Sequence, residues 1–113
     1  MKSCCQSIEP LLSPTLFKAL SDPKRVGLLA FLCQCQGPCT VSALAQVTDI
    51  DMSVVSRHLA MLRDAGILQA EKRGKEVLYS VRYHELADTL RAMADAIQAC
   101  CPKEQSDEHV YAK

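Results

Sequence analysis

The sequence predicts a mainly α-helical domain with one small β-hairpin, and three observations carry that expectation. Residues 51 to 66 read as a short helix with a start, a stop and two unlike faces. Just upstream, Val41, Leu44, Ala45 and Val47 mark a second short amphipathic helix, separated from the first by the tight connection Thr48-Asp49-Ile50. Just downstream, Ile67 to Arg73 and Glu76 to Arg82 are two strand-like runs around Gly74. Two helices joined by a tight turn and followed by a hairpin make a winged helix-turn-helix. With helices before and after, about five helices and a two-stranded wing are expected, paired into a homodimer through the terminal helices.

Taken in order, residues 1–12 form a polar segment, expected to be flexible, that carries Cys4-Cys5. Ser13-Pro14 is a cap followed by proline at the first helical position and opens a helix through Leu20. Asp22-Pro23 repeats the signal for a helix to about Gln34, on which Val26, Leu29, Ala30 and Cys33 share a stripe expected to face inward. Gln36-Gly37-Pro38 ends it. In the 51–66 helix, Asp51 is placed to cap, Ile50 to staple onto Val55, and Gly66 to terminate. The last helix, from about Tyr83 to Cys101, carries Leu86, Leu90, Met93, Ile97 and Cys100 at spacings of 4, 3, 4 and 3. That is a heptad seam, suited to a copy of itself or to the first helix of its own chain. Pro102 stops the helix. The expected domain is thus residues 13–101, with residues 102–113 a polar tail that has nothing to bury.

Composition narrows the function classes. A chain of 113 residues is one domain, and its formal charge of zero supplies no global field toward nucleic acid. The charge is uneven, however. Between Arg57 and Lys75 the cations Arg57, Arg63, Lys72, Arg73 and Lys75 outnumber Asp64 and Glu71, whereas residues 84–109 are acid-rich. Nowhere do about 18 apolar residues run together, so no membrane partner is expected and the cytoplasm is the expected compartment. No Gly-rich phosphate loop and no nucleophile with a positioned base is identifiable, which argues against an enzyme.

The 51–66 helix turns Val55, Leu59 and Leu62 to a core and Ser53, Ser56, Arg57, Ala60 and Asp64 away from it. The outer face is short-chained with one long cation near its N-terminal end, as insertion into a DNA major groove requires. Taken alone, such a face is more often merely solvated; the neighbouring turn-helix and hairpin favour a double-stranded DNA partner. The expected DNA contacts are Ser53, Val54, Ser56, Arg57 and His58 at the groove, with Lys72, Arg73 and Lys75 at the wing tip. His58 lies toward the helix flank, where packing beside the core competes with a groove role.

Four runs in order, Phe17-Lys18-Ala19-Leu20-Ser21-Asp22-Pro23-Lys24-Arg25, Ser53-Val54-Val55-Ser56-Arg57-His58-Leu59, Leu62-Arg63-Asp64-Ala65-Gly66-Ile67-Leu68 and Arg73-Gly74-Lys75-Glu76-Val77-Leu78-Tyr79-Ser80-Val81, resemble the ArsR/SmtB family of metal-sensing bacterial repressors. The likeness covers roughly residues 14–100. It departs at Met52, where a polar residue is common, and at Asp49, where glycine is common. The resemblance implies a homodimeric operator-binding repressor released by a metal or metalloid ion.

Seven cysteines are many for a reducing compartment, and they fall as Cys4-Cys5, then Cys33, Cys35 and Cys39, then Cys100-Cys101. Adjacent Cα atoms lie about 3.8 Å apart, below the roughly 4.4 Å lower edge of disulfide geometry, so a vicinal pair is better suited to act as two thiolates. Thiolates select soft ions: As(III) or Sb(III) is favoured here, with Cd(II), Pb(II) and Hg(II) as alternatives. Cys4-Cys5 resembles the N-terminal pair of one arsenic-sensing branch of the family, with Cys35 near that branch's third ligand. Cys100-Cys101 resembles the C-terminal pair of another. The Cys-Val-Cys run of the better-known arsenic and cadmium sensors is absent, and His84, Asp88 and Asp95 do not match the zinc-sensor pattern. The expected ligands are therefore Cys4, Cys5, Cys35, Cys100 and Cys101; Cys33 is expected to be a buried small hydrophobe and Cys39 a loop thiol without consequence. A thiol redox or persulfide switch on the same fold, or a thiol-rich metal-buffering or interaction protein without DNA binding, are the alternative functions.

Overall fold

A computed structural model describes residues 11–102. In chain order the elements are α1 (Pro14–Ala19), α2 (Pro23–Cys35), β1 (Cys39–Thr40), α3 (Val41–Thr48), α4 (Met52–Asp64), β2 (Leu68–Arg73), β3 (Glu76–Val81) and α5 (Tyr83–Ala99). Residues 14–86 gather into one compact unit, which holds the helix-turn-helix and the sheet; the greater part of α5, from Ala87, belongs to a second. The expected fold class is present, and the sheet has one strand more than expected.

The core of the first unit is aliphatic. Leu28 and Leu32 of α2, Leu44 of α3, Val55, Leu59 and Leu62 of α4, and Ile67 and Leu68 are all but completely buried. Burial of each such side chain contributes roughly 1.5–3 kcal/mol. The expected inner stripe of α4 is therefore correct residue by residue: Val55, Leu59 and Leu62, at spacings of four and three, fall on one helical face.

Helix α2 is rotated from the expected stripe. Its buried positions are Arg25, Leu28 and Leu32, whereas Val26, Ala30 and Cys33 are exposed and Leu29 is half-buried. Cys33 is thus a surface thiol, not a buried hydrophobe. The physical reason lies at the start of the helix. The Asp22 side chain accepts from the backbone N–H groups of Lys24 (2.8 Å) and Arg25 (3.4 Å), Pro23 follows at the first position, and Arg25 is drawn inward by polar partners that a hydrophobic periodicity does not register.

Two left-handed residues set the turns around α3. Gln36, at φ 63°, ends α2, and Asp49, at φ 59°, ends α3 with its N–H donating to the Ala45 carbonyl at 3.0 Å. The position where the family commonly has glycine is therefore one whose backbone favours glycine, and aspartate is among the side chains that tolerate it. Thr40 caps α3, its hydroxyl accepting from the Ala43 N–H at 3.1 Å. Asp51 occupies the N-cap position of α4, but its side chain makes no capping bond. It instead accepts from the Ser53 hydroxyl at 2.5 Å, while the Asp51 carbonyl takes the N–H groups of Val54 and Val55. At the far end Gly66, at φ 83°, lets the Ile67 N–H return to the Leu62 carbonyl at 3.0 Å, the bond of a Schellman stop.

The sheet is antiparallel with order β1-β3-β2. Strands β2 and β3 form the wing, in register from Leu68↔Val81 to Arg73↔Glu76 around the two-residue turn Gly74-Lys75. Gly74 has φ 61°, the positive value at the first central position that a type II′ hairpin turn requires. The additional strand, β1, pairs Cys39 with Tyr79 and Thr40 with Leu78. A two-residue strand has no alternation to detect, so only its partner reveals it. Along α5, Met93 is buried and Leu86 half-buried, while Leu90 and Ile97 are 44% and 56% exposed. Cys100 and Cys101 lie in the turn beyond it, their N–H groups bonded to the Ile97 and Gln98 carbonyls.

Candidate nucleic-acid interface and thiol sites

The outer face of α4 is solvated as its sequence suggested: Ser53, Ser56 and Arg57 are exposed and Val54 is half-buried. Next to it a cleft of about 480 Å³ is lined by Thr40, Val41 and Ser42 from the start of α3, Met52, Ser53 and Ser56 from α4, and Lys75, Glu76 and Val77 from the wing. The first turns of both helices and the tip end of the wing thus face one space. Lys72, Arg73 and Lys75 are exposed near the hairpin tip. Arg73 is partly committed to Glu71, at 3.3 Å, whereas Arg57, Lys72 and Lys75 have no hydrogen bond or ion pair among the described residues. Thr40 and Ser42, whose hydroxyls lie 3.3 Å apart, were not anticipated. Their only sequence signal is two hydroxyl residues at the start of a helix.

His58 faces elsewhere. Its Nδ1 lies 3.2 Å from the Arg25 guanidinium, and it is half-buried. Arg25 itself is 7% exposed and is fully engaged: it donates to the Ala19 carbonyl (2.8 Å), the Lys18 carbonyl (3.2 Å) and the Met61 sulfur (3.3 Å), with Asp22 at 3.9 Å. One cation therefore reaches the last carbonyls of α1 and two residues of α4, bracing that helix on the side away from Ser53, Ser56 and Arg57. Burial holds His58 below the ordinary imidazole range, against the pull of Asp22 and with the help of the Arg25, Lys24 and Arg57 charges. Asp22 is lowered in turn, chiefly by the Lys24 N–H bond. Arg25 as a positioning residue was missed in the sequence, where it reads as one more surface cation.

The thiols divide. Cys4 and Cys5 lie outside the described residues. Cys35 is exposed at the C-terminus of α2, Cys100 is exposed and Cys101 half-buried. Cys35 has a neighbour that was not expected: the Cys39 sulfur, 3.5 Å away. Burial, and then the hydrogen bond and charge of Cys35, push the Cys39 thiol up to about 11. Among the described residues no three His, Cys, Asp or Glu side chains converge as a metal site, so any three-sulfur set must draw on cysteines beyond this pair.

Residues 22–70 match the ArsR family of bacterial regulatory proteins. The chain is 32% identical over 85 residues to the arsenical resistance operon repressor of Bacillus subtilis, an alignment covering 75% of each chain. It is 38% identical over 69 residues to the transcriptional regulator YgaV of Escherichia coli, covering 59% of this chain and 67% of that one. To the arsenical resistance operon repressor of the same organism it is 39% identical over 74 residues, 66% of this chain and 62% of the relative, so part of that relative's length is not matched. Other relatives are named for cadmium and mercury resistance. Among solved structures, an ArsR-like transcriptional regulator from Rhodococcus superposes with a TM-score of 0.64 at 28% identity, over 72% of this chain and 74% of that one. A winged helix-turn-helix DNA-binding domain from Mycobacterium bovis, described as homodimeric, does so with 0.58 at 26%, over 84% and 81%.

The fold and these relatives define the class: a winged helix-turn-helix transcriptional regulator, not an enzyme. More narrowly, the chain belongs to the ArsR family.

Proposed function

We propose that this protein is a homodimeric repressor that holds operator DNA when its thiols are empty and releases it when a thiophilic ion, As(III) or Sb(III) ahead of Cd(II), Pb(II) or Hg(II), binds cysteine thiolates. The observation that carries the DNA half is the cleft where Ser53 and Ser56 of α4 meet Lys75 of the wing. Ser53, Val54, Ser56 and Arg57 reach base edges or phosphates, and Lys72, Arg73 and Lys75 add wing contacts. His58 contributes by holding the helix through Arg25. The open apolar positions Leu90 and Ile97 on α5 favour a second copy of the chain as partner. That copy spaces two recognition helices for half-sites about one DNA turn apart.

The sensing half draws on Cys4, Cys5, Cys35, Cys100 and Cys101. Soft sulfur donors suit trivalent arsenic or antimony, and the names of the arsenical resistance relatives agree with that choice. A coupling of about 1–3 kcal/mol between ion and operator is enough to switch the complex. The protein works where thiols stay reduced, which is the cytoplasm. The decisive experiment titrates the reduced full chain on its own upstream DNA, with and without a panel of thiophilic ions. Operator binding relieved by arsenite or antimonite is expected. Relief by cadmium or mercury alone would replace the ligand, and absence of any operator binding would end the repressor reading.

A further inference from the structure

The Cys35 and Cys39 sulfurs belong to different elements and were brought together by folding, not by sequence adjacency. Cys35 closes α2, the chain reverses through Gln36, Gly37 and Pro38, and Cys39 begins β1. Their 3.5 Å separation is well beyond the roughly 2.05 Å of a disulfide. It is also too short for linear two-coordination: with bonds of about 2.3 Å, the length of a zinc–thiolate bond, a linear centre would hold its sulfurs about 4.6 Å apart. A centre at that bond length from both sulfurs would see them about 99° apart across the observed 3.5 Å. That is the bond angle of a pyramidal trivalent atom with a lone pair.

We propose that Cys35 and Cys39 form a two-thiol chelate for a pyramidal trivalent thiophilic centre carrying one other substituent, a site separate from the vicinal pairs at the chain ends. This rests on the reading of the protein as a sensor of thiophilic species and adds a second class of ligand to it. A monosubstituted arsenic(III) dihydroxide, R–As(OH)2, has the required valences. Two S–As bonds form, two As–O bonds break, and the two thiol protons leave with the hydroxides as two molecules of water. Arsenic remains trivalent throughout, so no oxidant or reductant enters.

The site has a short path to the DNA face. Cys39 is paired with Tyr79 of the wing strand β3, and the next residue, Thr40, pairs with Leu78 and caps α3. A bridge from Cys35 to Cys39 ties the end of α2 to the strand that carries both contacts.

The test uses phenylarsine oxide, which is PhAs(OH)2 in water, on the reduced full chain with Cys4, Cys5, Cys100 and Cys101 changed to serine. Expected are one phenylarsenic adduct per chain by intact-mass measurement and the loss of two titratable thiols. Adding Cys39→Ser or Cys35→Ser abolishes the adduct, and adding Cys33→Ser leaves it. Cys39→Ala, with circular dichroism to confirm folding, guards against a serine-specific defect. No adduct on the four-serine chain, an adduct consuming one thiol, or dependence on Cys33 in place of Cys39 overturns the site. Failure of arsenite and antimonite to release operator from the wild-type protein, with the phenylarsenic adduct intact, would remove the proposed inducer and leave the chelate standing.

Discussion

Helices α4 and α5 carry the same kind of sequence signal and meet different fates. Both present apolar residues at alternating spacings of three and four. On α4 these residues, Val55, Leu59 and Leu62, are completely buried by their own chain. On α5 the run includes a buried Met93, yet Leu90 and Ile97 remain about half exposed. A period therefore shows that a helix has a face to bury and does not say whose surface will cover it. On α4 the cover comes from within the chain, and the opposite face, with Ser53, Ser56 and Arg57, is left exposed. On α5 the open positions are the expected place for a second copy.

The difference can be broken most forcefully from the buried side. Leu59→Ala should cost about 2–5 kcal/mol in a denaturant melt, since it removes a fully buried side chain and leaves a cavity. Arg25→Met keeps the apolar stem but strips the bonds to Lys18, Ala19 and His58. About 1–3 kcal/mol of stability should be lost, because the Ala19 carbonyl loses its Arg25 donor while the Lys18 carbonyl keeps the Ser21 N–H and hydroxyl. Operator affinity should fall as well, although Arg25 does not face the groove; unchanged affinity in the folded variant would show that the latch does not orient α4. Arg57→Ala, on the outer face, should leave the melt within about 0.5 kcal/mol of wild type and weaken operator binding by roughly tenfold, with a shallower salt dependence. Ile97→Asp should spare secondary structure while weakening self-association about tenfold, or roughly 1.4 kcal/mol, by sedimentation. If the dimer persisted unchanged, the open positions of α5 would not be its seam.

The smallest effect is the one pH reads. Because the folded state holds His58 below its ordinary value of 6.5, the unfolded chain binds the proton more readily. The stabilisation from the neutral ring is complete above about pH 6.5 and is lost as pH falls through the lowered folded value. Stability should therefore decline on mild acidification, and less so in His58→Gln. The contribution of Asp22, also lowered, persists to more acid pH and disappears only below its ordinary 3.8. A pH response unchanged by His58→Gln would place the titration elsewhere.

The sequence by itself determined the class of fold, the inner stripe of α4, the wing around Gly74 and the solvated face with Ser53, Ser56 and Arg57. These follow from local rules: helical period, cap and stop residues, and the positive φ of a hairpin glycine, each acting within a few residues. Tertiary structure alone decided the rest. It turned α2 so that Arg25, not Val26 or Cys33, points inward, because five partners from three segments outweigh an aliphatic stripe. It gave His58 a partner thirty-three residues away, created a strand from Cys39 and Thr40 by supplying β3 beside it, and set the Cys39 sulfur against Cys35. Each depends on surfaces meeting that are distant in the chain or separated by a reversal, and a linear pattern carries no term for such meetings.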